Sequence, residues 1–345
     1  LPNKINCLFK DNNISIMSNL KIKNNRLIQH TSVDYPIICG AMYPCSNPEL
    51  IAAASNGGGM AIIQPVSLTY VHNYDLRDGI KYIRSLTDKP IGFNALIEKG
   101  SKKYINRMSD WIDIALEENI RFFVTSLGKP DWVCDRVHQV GGFVYHDVTN
   151  LHWAKKGQDC GVDGLICVNN RAGGHLGSDS MKIMFRELKN LGLPLICAGG
   201  IGSEIELHKA IATGYDGVQM GTRFIATLEC DTSNEWKNAI VDSSDNDIVS
   251  TTRLTGVPVS VIKSKNYQDT NHWIIEKLLQ SRYKHYIRML LNLKSFFQLK
   301  YLSKNTKKKK EYFSAGKSVK TVKSIESATI IMQRLGKSLQ KSKNI

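Results

Sequence analysis

The sequence lacks any CxxC pair, and its 8 cysteines show no Cys/His spacing of the kind that closes around zinc. That removes the zinc-module and thioredoxin-like readings and leaves a reduced pattern, for which the cytoplasm is the expected compartment. No apolar run approaches the ~20 residues that a bilayer-spanning helix needs. The first residues, Leu1 to Ile16, are polar and Asn-rich without the apolar segment of a secretory signal. Residues 1–25 are expected to be an extension outside the fold. Acidic residues are scarce in one region only: from Lys263 to Ile345 there are 4 Asp+Glu against 20 Lys+Arg. The remainder carries 27 acidic and 26 basic groups, so the formal charge of +15 belongs to the tail. A nucleic-acid role for the body of the protein is therefore not expected, and the run Lys307–Lys310 reads as a solvated segment.

With only 9 prolines and 42% hydrophobic residues, the chain has the composition of a folded globule. Short apolar runs alternate with helix-period stretches, which is the rhythm of βα units and a parallel sheet. Candidate strands are Pro36–Gly40, Met60–Ile63, Ile91–Ala95, Phe122–Thr125, Phe143–Val148, Gly164–Val168, Pro194–Ala198 and Gly217–Met220. Between them lie amphipathic stretches at Asn47–Asn56, Asp75–Leu86, Lys102–Asn119, Ser180–Leu191 and Ser203–Thr213. Ser46-Asn47-Pro48 predicts a capped helix start, Ser203 with Glu206 a capping box, and Gly192 and Gly214 helix ends. Eight evenly spaced units favour closure over an open doubly wound sheet. The expected fold is α/β, a (β/α)8 TIM barrel over residues 26–262. A basic, largely helical carboxyl-terminal appendage over 263–345 follows it, with the amphipathic stretch Trp273–Leu302 as a cap on the barrel.

In such a barrel the chemistry gathers in the loops after the carboxyl ends of the strands. Small and polar residues occupy nearly all of these places. Ala198-Gly199-Gly200-Ile201-Gly202, leading into a helix near Ser203, and Gln219-Met220-Gly221-Thr222 have the makings of a phosphate cup. Their glycines admit close backbone approach, and a helix amino terminus offers free N–H groups. The sixth loop, Arg171-Ala172-Gly173-Gly174-His175-Leu176-Gly177, reads as a mobile or tightly turned loop that presents an imidazole able to move a proton near neutral pH. Asp147, ending the fifth strand beside His146, can contact a cofactor or another loop. His146, Asp147 and His152 resemble no metal site, and no metal is expected.

Several segments together resemble the nitronate monooxygenase family: Tyr35–Met42, Gly92-Phe93-Asn94, Ala172–Gly177, Ala198–Ile201, Gln219–Phe224 and Ser314-Ala315-Gly316-Lys317. The resemblance implies FMN. Its phosphate would lie at Gly199, Gly200, Gly221 and Thr222, with further flavin contacts from Ala41, Met42, Asn94, Gly173, Gly174 and Gln219. It implies His175 as the catalytic residue. Many relatives carry Gln where this chain has Val168. The implied reaction is oxidation of an alkyl nitronate or nitroalkane, such as propionate 3-nitronate, with O2 to a carbonyl compound and nitrite. A flavin-dependent enoyl-[acyl carrier protein] reductase using NADH is the alternative, and a homodimer is the assembly left open.

Overall fold

A computed structural model describes residues 25–97, 102–252, 257–263 and 312–341, with isolated positions between 277 and 297. The expected extension at residues 1–24 and the run Lys307–Lys310 lie outside the described residues. Of Trp273–Leu302, isolated positions such as Lys277, Tyr286 and Leu290 are described, and these are helical.

Eight parallel strands close into a barrel. They are β1 (Ile37–Cys39), β2 (Met60–Ile63), β3 (Ile91–Leu96), β4 (Phe122–Ser126), β5 (Phe143–Val148) and β6 (Gly164–Val168), then β8 (Leu195–Ala198) and β9 (Gly217–Met220). The ring shuts where β9 pairs with β1, Ile38 opposite Gln219. Both faces of these strands are buried, which is why they appear in the sequence as continuous apolar runs rather than alternating ones. The pleat divides them: Ile38, Ile62, Val124, Tyr145, Ile166 and Ile196 fill the interior. Ile37, Cys39, Phe123, Val144, Leu165 and Cys197 face the surrounding helices.

The amino-terminal end of the barrel is plugged by the helix Arg26–Thr31, whose amino end is capped by Asn25. Its His30 stacks on Phe143 with ring centres 4.1 Å apart, and Nδ1 lies 3.1 Å from the Tyr145 hydroxyl. The opposite end is therefore the open one.

The Ser203/Glu206 capping box forms as read, and Gly214 closes that helix with φ +126°. Asn47 behaves differently. Pro48 does start the helix Pro48–Asn56, but Asn47 makes no capping bond. Its amide instead donates to the Glu229 carbonyl and accepts from the Asp231 N–H, each at 2.9 Å, fastening the first helix to a segment after the barrel.

Among the described residues, the short helix Thr222–Ile225 and then the helix Asn234–Asp242 follow β9. The eighth place in the outer ring is taken by the helix Ala328–Lys341, which packs against Pro48–Asn56 and Glu204–Thr213. It buries Ile331, Met332, Leu335 and Leu339 completely. Gly336 lets it approach so closely that a Cβ there would stand 2.1 Å from the Tyr35 ring. Glu229 caps its start, accepting from the Ala328 N–H at 2.8 Å and the Ser327 hydroxyl at 2.6 Å; a carboxylate is favoured at that pole of the helix dipole.

Described residues between these helices also form a small antiparallel sheet outside the barrel. Its strands are β10 (Ile248–Thr251), β11 (Val259–Lys263) and β12 (Tyr312–Ser314). A two-residue strand, β7 (Gly174–His175), joins β11 from the sixth barrel loop. No described helix is long and apolar enough to cross a membrane.

Candidate active site

Following the pleat outward along the barrel strands places Asn94, Ser126, Asp147, Val168, Ala198 and Gln219 in one inward-facing layer at the carboxyl end. Asn94 is buried and spends one amide hydrogen on the Val124 carbonyl at 3.2 Å. Gln219 leans over Gly40, where a Cβ would meet its Cγ at 3.0 Å. Its Oε1 is buried with no partner among the described residues, and so is Oδ1 of Asp147. Although Asp147 as a whole is half-buried, the desolvated setting of its carboxyl pushes the acid up to about 7. Unsatisfied buried acceptors are uncommon in native interiors. Two of them in one layer mark a place built for a ligand with hydrogen-bond donors.

Four segments meet beside this layer. Asn169, fully buried, accepts from the Arg171 N–H at 2.8 Å and donates to the Gly199 carbonyl at 2.9 Å, stitching the loop after β6 to the loop after β8. Gly199 and Gly200 both have positive φ, +116° and +76°. The side chain of Arg171 lies over Gly200, where a Cβ would stand 2.7 Å from Nε. Its guanidinium pairs with Asp245 at 3.2 Å. Thr222 accepts from the Gly316 N–H at 2.9 Å, which leaves its own hydroxyl hydrogen to donate. Gly316 in turn packs on Gly173, whose Cβ would meet Gly316 N at 2.8 Å. The expected cup residues Gly199, Gly200, Gly221 and Thr222, with the expected flavin contact Gly173, are thus gathered by direct contacts or chain adjacency. Met42 sits nearby, but its N–H is already engaged by the Ser46 hydroxyl at 2.9 Å; Ala41 precedes it, half-buried.

Gly221 gives a direct test. Its φ of −112° suits any residue, and an added Cβ would meet only Met42 Sδ at 3.5 Å and Cγ at 3.6 Å. Gly221→Ala is therefore expected to keep its melting temperature while intruding on the cup. Loss of one charge-assisted hydrogen bond would weaken binding of a phosphate-bearing ligand about tenfold to a hundredfold. Equal titration curves for variant and parent would show that phosphate does not sit there.

His175 is held as a strand residue. Val259 stands opposite it in β11, and Ser260 opposite Gly174. The sequence suggests a mobile or tightly turned loop, and the structure shows a turn at Gly174 (φ +67°) followed by β pairing. The side chain is reached by solvent, yet the surrounding walls desolvate the ring and lower its pKa. At neutral pH it is an uncharged imidazole, with one nitrogen to donate and one to accept. His146 points the other way, with Nδ1 2.8 Å from the Thr125 hydroxyl, and burial lowers its pKa to about 4. It is a packing residue. No group of three or more His, Cys, Asp or Glu able to hold a metal occurs among the described residues.

A family model described as nitronate monooxygenase matches residues 24–337. The chain belongs to the nitronate monooxygenase family. Curated relatives include proteins named probable nitronate monooxygenase from Staphylococcus aureus strains JH9 and N315. Each is 25% identical over 273 residues, covering 67% of this chain and 76% of the relative. Among solved structures, FabK from Thermotoga maritima superposes with a TM-score of 0.75 at 25% identity, covering 92% of this chain and 96% of that one. Nitroalkane oxidase from Streptomyces ansochromogenes gives 0.68 at 19% identity over 92% and 98%; at that identity the likeness concerns the fold. Membership makes the protein a flavin-dependent oxidoreductase.

Residue-by-residue reading of the loops overlooked Asn169, Arg171 and Ser260. Asn169 stands directly after β6, so a buried side chain amide between two glycine-bearing loops was a signal available in the sequence. Ser260 carried none, because nothing in its own segment shows that β11 pairs with the histidine loop.

Proposed function

We propose that the protein is an FMN-dependent nitronate monooxygenase that oxidises alkyl nitronates with O2 to a carbonyl compound and nitrite. The observation carrying this reading is the placement of a neutral imidazole, His175, on a paired strand beside a four-segment glycine cup and a barrel mouth with two unsatisfied acceptors. The cup suits a phosphate, since Thr222 keeps a hydroxyl hydrogen and an unencumbered face lies at Gly221. The mouth suits a polar planar ring, whose N–H offers a donor to the orphaned oxygen of Gln219. FMN, when bound, supplies the redox chemistry: one-electron oxidation of the nitronate, with the electron passed to O2.

The remaining work falls to the chain. Gly199, Gly200, Gly221 and Thr222 hold the phosphate, Asn94 and Gln219 border the ring, and Gly173 and Gly174 bring the histidine loop against it. His175 donates a hydrogen bond to a nitronate oxygen through its N–H, orienting the anion. Facing a neutral nitroalkane, the same imidazole removes the α-proton through its unprotonated nitrogen. Its lowered pKa keeps that nitrogen unprotonated at neutral pH. Protonation, and loss of nitroalkane oxidation, sets in only as pH falls below 6.5.

The test is oxygen uptake and nitrite release with propionate 3-nitronate and no NADH, followed by a nitroalkane pH profile. Turnover with an acid limb below pH 6.5 is expected. The enoyl-[acyl carrier protein] reductase reading is favoured by one observation, the similarity to FabK over nearly the full chain. Rapid anaerobic bleaching of the flavin by NADH, without nitronate turnover, would select it instead.

A further inference from the structure

Asp147 is the one ionisable side chain in the inward-facing layer at the barrel mouth. Its register leaves no other direction open. Tyr145 and Phe143, two and four residues before it on β5, belong with the interior cluster, and the alternation carries Asp147 to the same side one step nearer the mouth. The pairing sets Ile166 opposite Asp147 on β6, and Ser126 on β4 by extension of Thr125 opposite His146, and no cation answers the carboxyl: burial alone accounts for its raised pKa. Oδ1 is sealed from water without a hydrogen-bond partner among the described residues. Three strands further round the ring, along β5-β6-β8-β9, Gln219 holds the other orphaned acceptor of the layer.

A buried carboxyl with no partner destabilises the protein that carries it. An apolar residue, as at the neighbouring Val168, would fill the place without that cost. A carboxyl kept there is explained if a ligand supplies the missing donor. We propose that Asp147 is a cofactor-binding residue whose Oδ1 accepts a hydrogen bond from a hydroxyl or N–H donor of the flavin seated in the barrel mouth. The assignment rests on the FMN reading above.

It makes two effects of opposite sign. In the flavin-free protein, Asp147→Leu removes an unsatisfied buried acceptor and is expected to raise the melting temperature. In flavin titrations followed by quenching of FMN fluorescence, the same variant is expected to bind at least about tenfold more weakly, the size of a hydrogen bond to a charged group. Asp147→Asn keeps an oxygen acceptor and is expected to restore most of the affinity. A purely structural carboxylate would lower the melting temperature and the affinity together in Asp147→Leu, which overturns the proposal. So does FMN affinity in Asp147→Leu equal to the parent's. If the parent itself, stripped of flavin, takes up no FMN, the cofactor reading falls and Asp147's role falls with it; binding by the parent with indifferent variants removes Asp147 alone.

Discussion

Replacing His175 by Ala is expected, on the function proposed above, to leave the visible flavin spectrum and flavin affinity intact while lowering turnover of nitroalkanes by about 10²–10⁴-fold, the usual worth of a positioned acid–base group. The backbone of β7 does not depend on the imidazole, since its pairing with Val259 and Ser260 is made by main-chain groups. The variant should therefore fold and bind cofactor. Turnover of a preformed nitronate, which needs no deprotonation, should fall by less than turnover of the parent nitroalkane. Parallel oxygen-electrode assays with the two substrates separate these roles. Equal, full activity of the variant with both would remove His175 from the mechanism.

Deleting the helix Ala328–Lys341 is expected to abolish cooperative folding rather than trim an accessory. Ile331, Met332, Leu335 and Leu339 are all buried. At roughly 1.5–3 kcal/mol for each large apolar side chain, their loss is of order 6–12 kcal/mol. That rivals the whole 5–15 kcal/mol typical of a folded domain. The apolar surfaces of Pro48–Asn56 and Glu204–Thr213 would be exposed as well. Thermal unfolding followed by circular dichroism should show no sharp transition in the truncated chain; a transition like the parent's would show that the barrel closes without this helix. A gentler probe, Gly336→Val, meets the Tyr35 ring at contact distances no rotamer relieves and should lower the melting temperature without touching the mouth.

The barrel was legible because its cause is local. Strands buried on both faces write continuous apolar runs, and Ser203 with Glu206, or Gly214, punctuate helices within a few residues of themselves. The observed strands Met60–Ile63, Phe143–Val148, Gly164–Val168 and Gly217–Met220 agree with the readings to the residue. Much of the glycine cup was legible for the same reason, since each loop follows its own strand. What stayed hidden depends on partners far along the chain. Nothing around Gly174-His175 announces a strand, because two residues have no periodicity and the pairing is dictated by Val259 and Ser260. Asn47 has the credentials of a helix cap, but Glu229 and Asp231 claim its amide from 182 and 184 residues away. The basic tail drew attention to its charge, whereas the described part of it contributes buried apolar residues to the outer ring.

The sheet that carries His175 also sets an order on synthesis. β7 pairs with β11, β11 pairs with β12, and the eighth outer helix follows β12. During translation, all eight barrel strands emerge before the last two of these elements exist. Although β11 can already hold the imidazole, the nascent barrel must wait with the flank of the helix Pro48–Asn56 uncovered, at the stage when exposed apolar surface invites aggregation. Chains arrested between residues 220 and 312 would thus hold every barrel strand and still be incompetent, and chaperone capture should peak in that window.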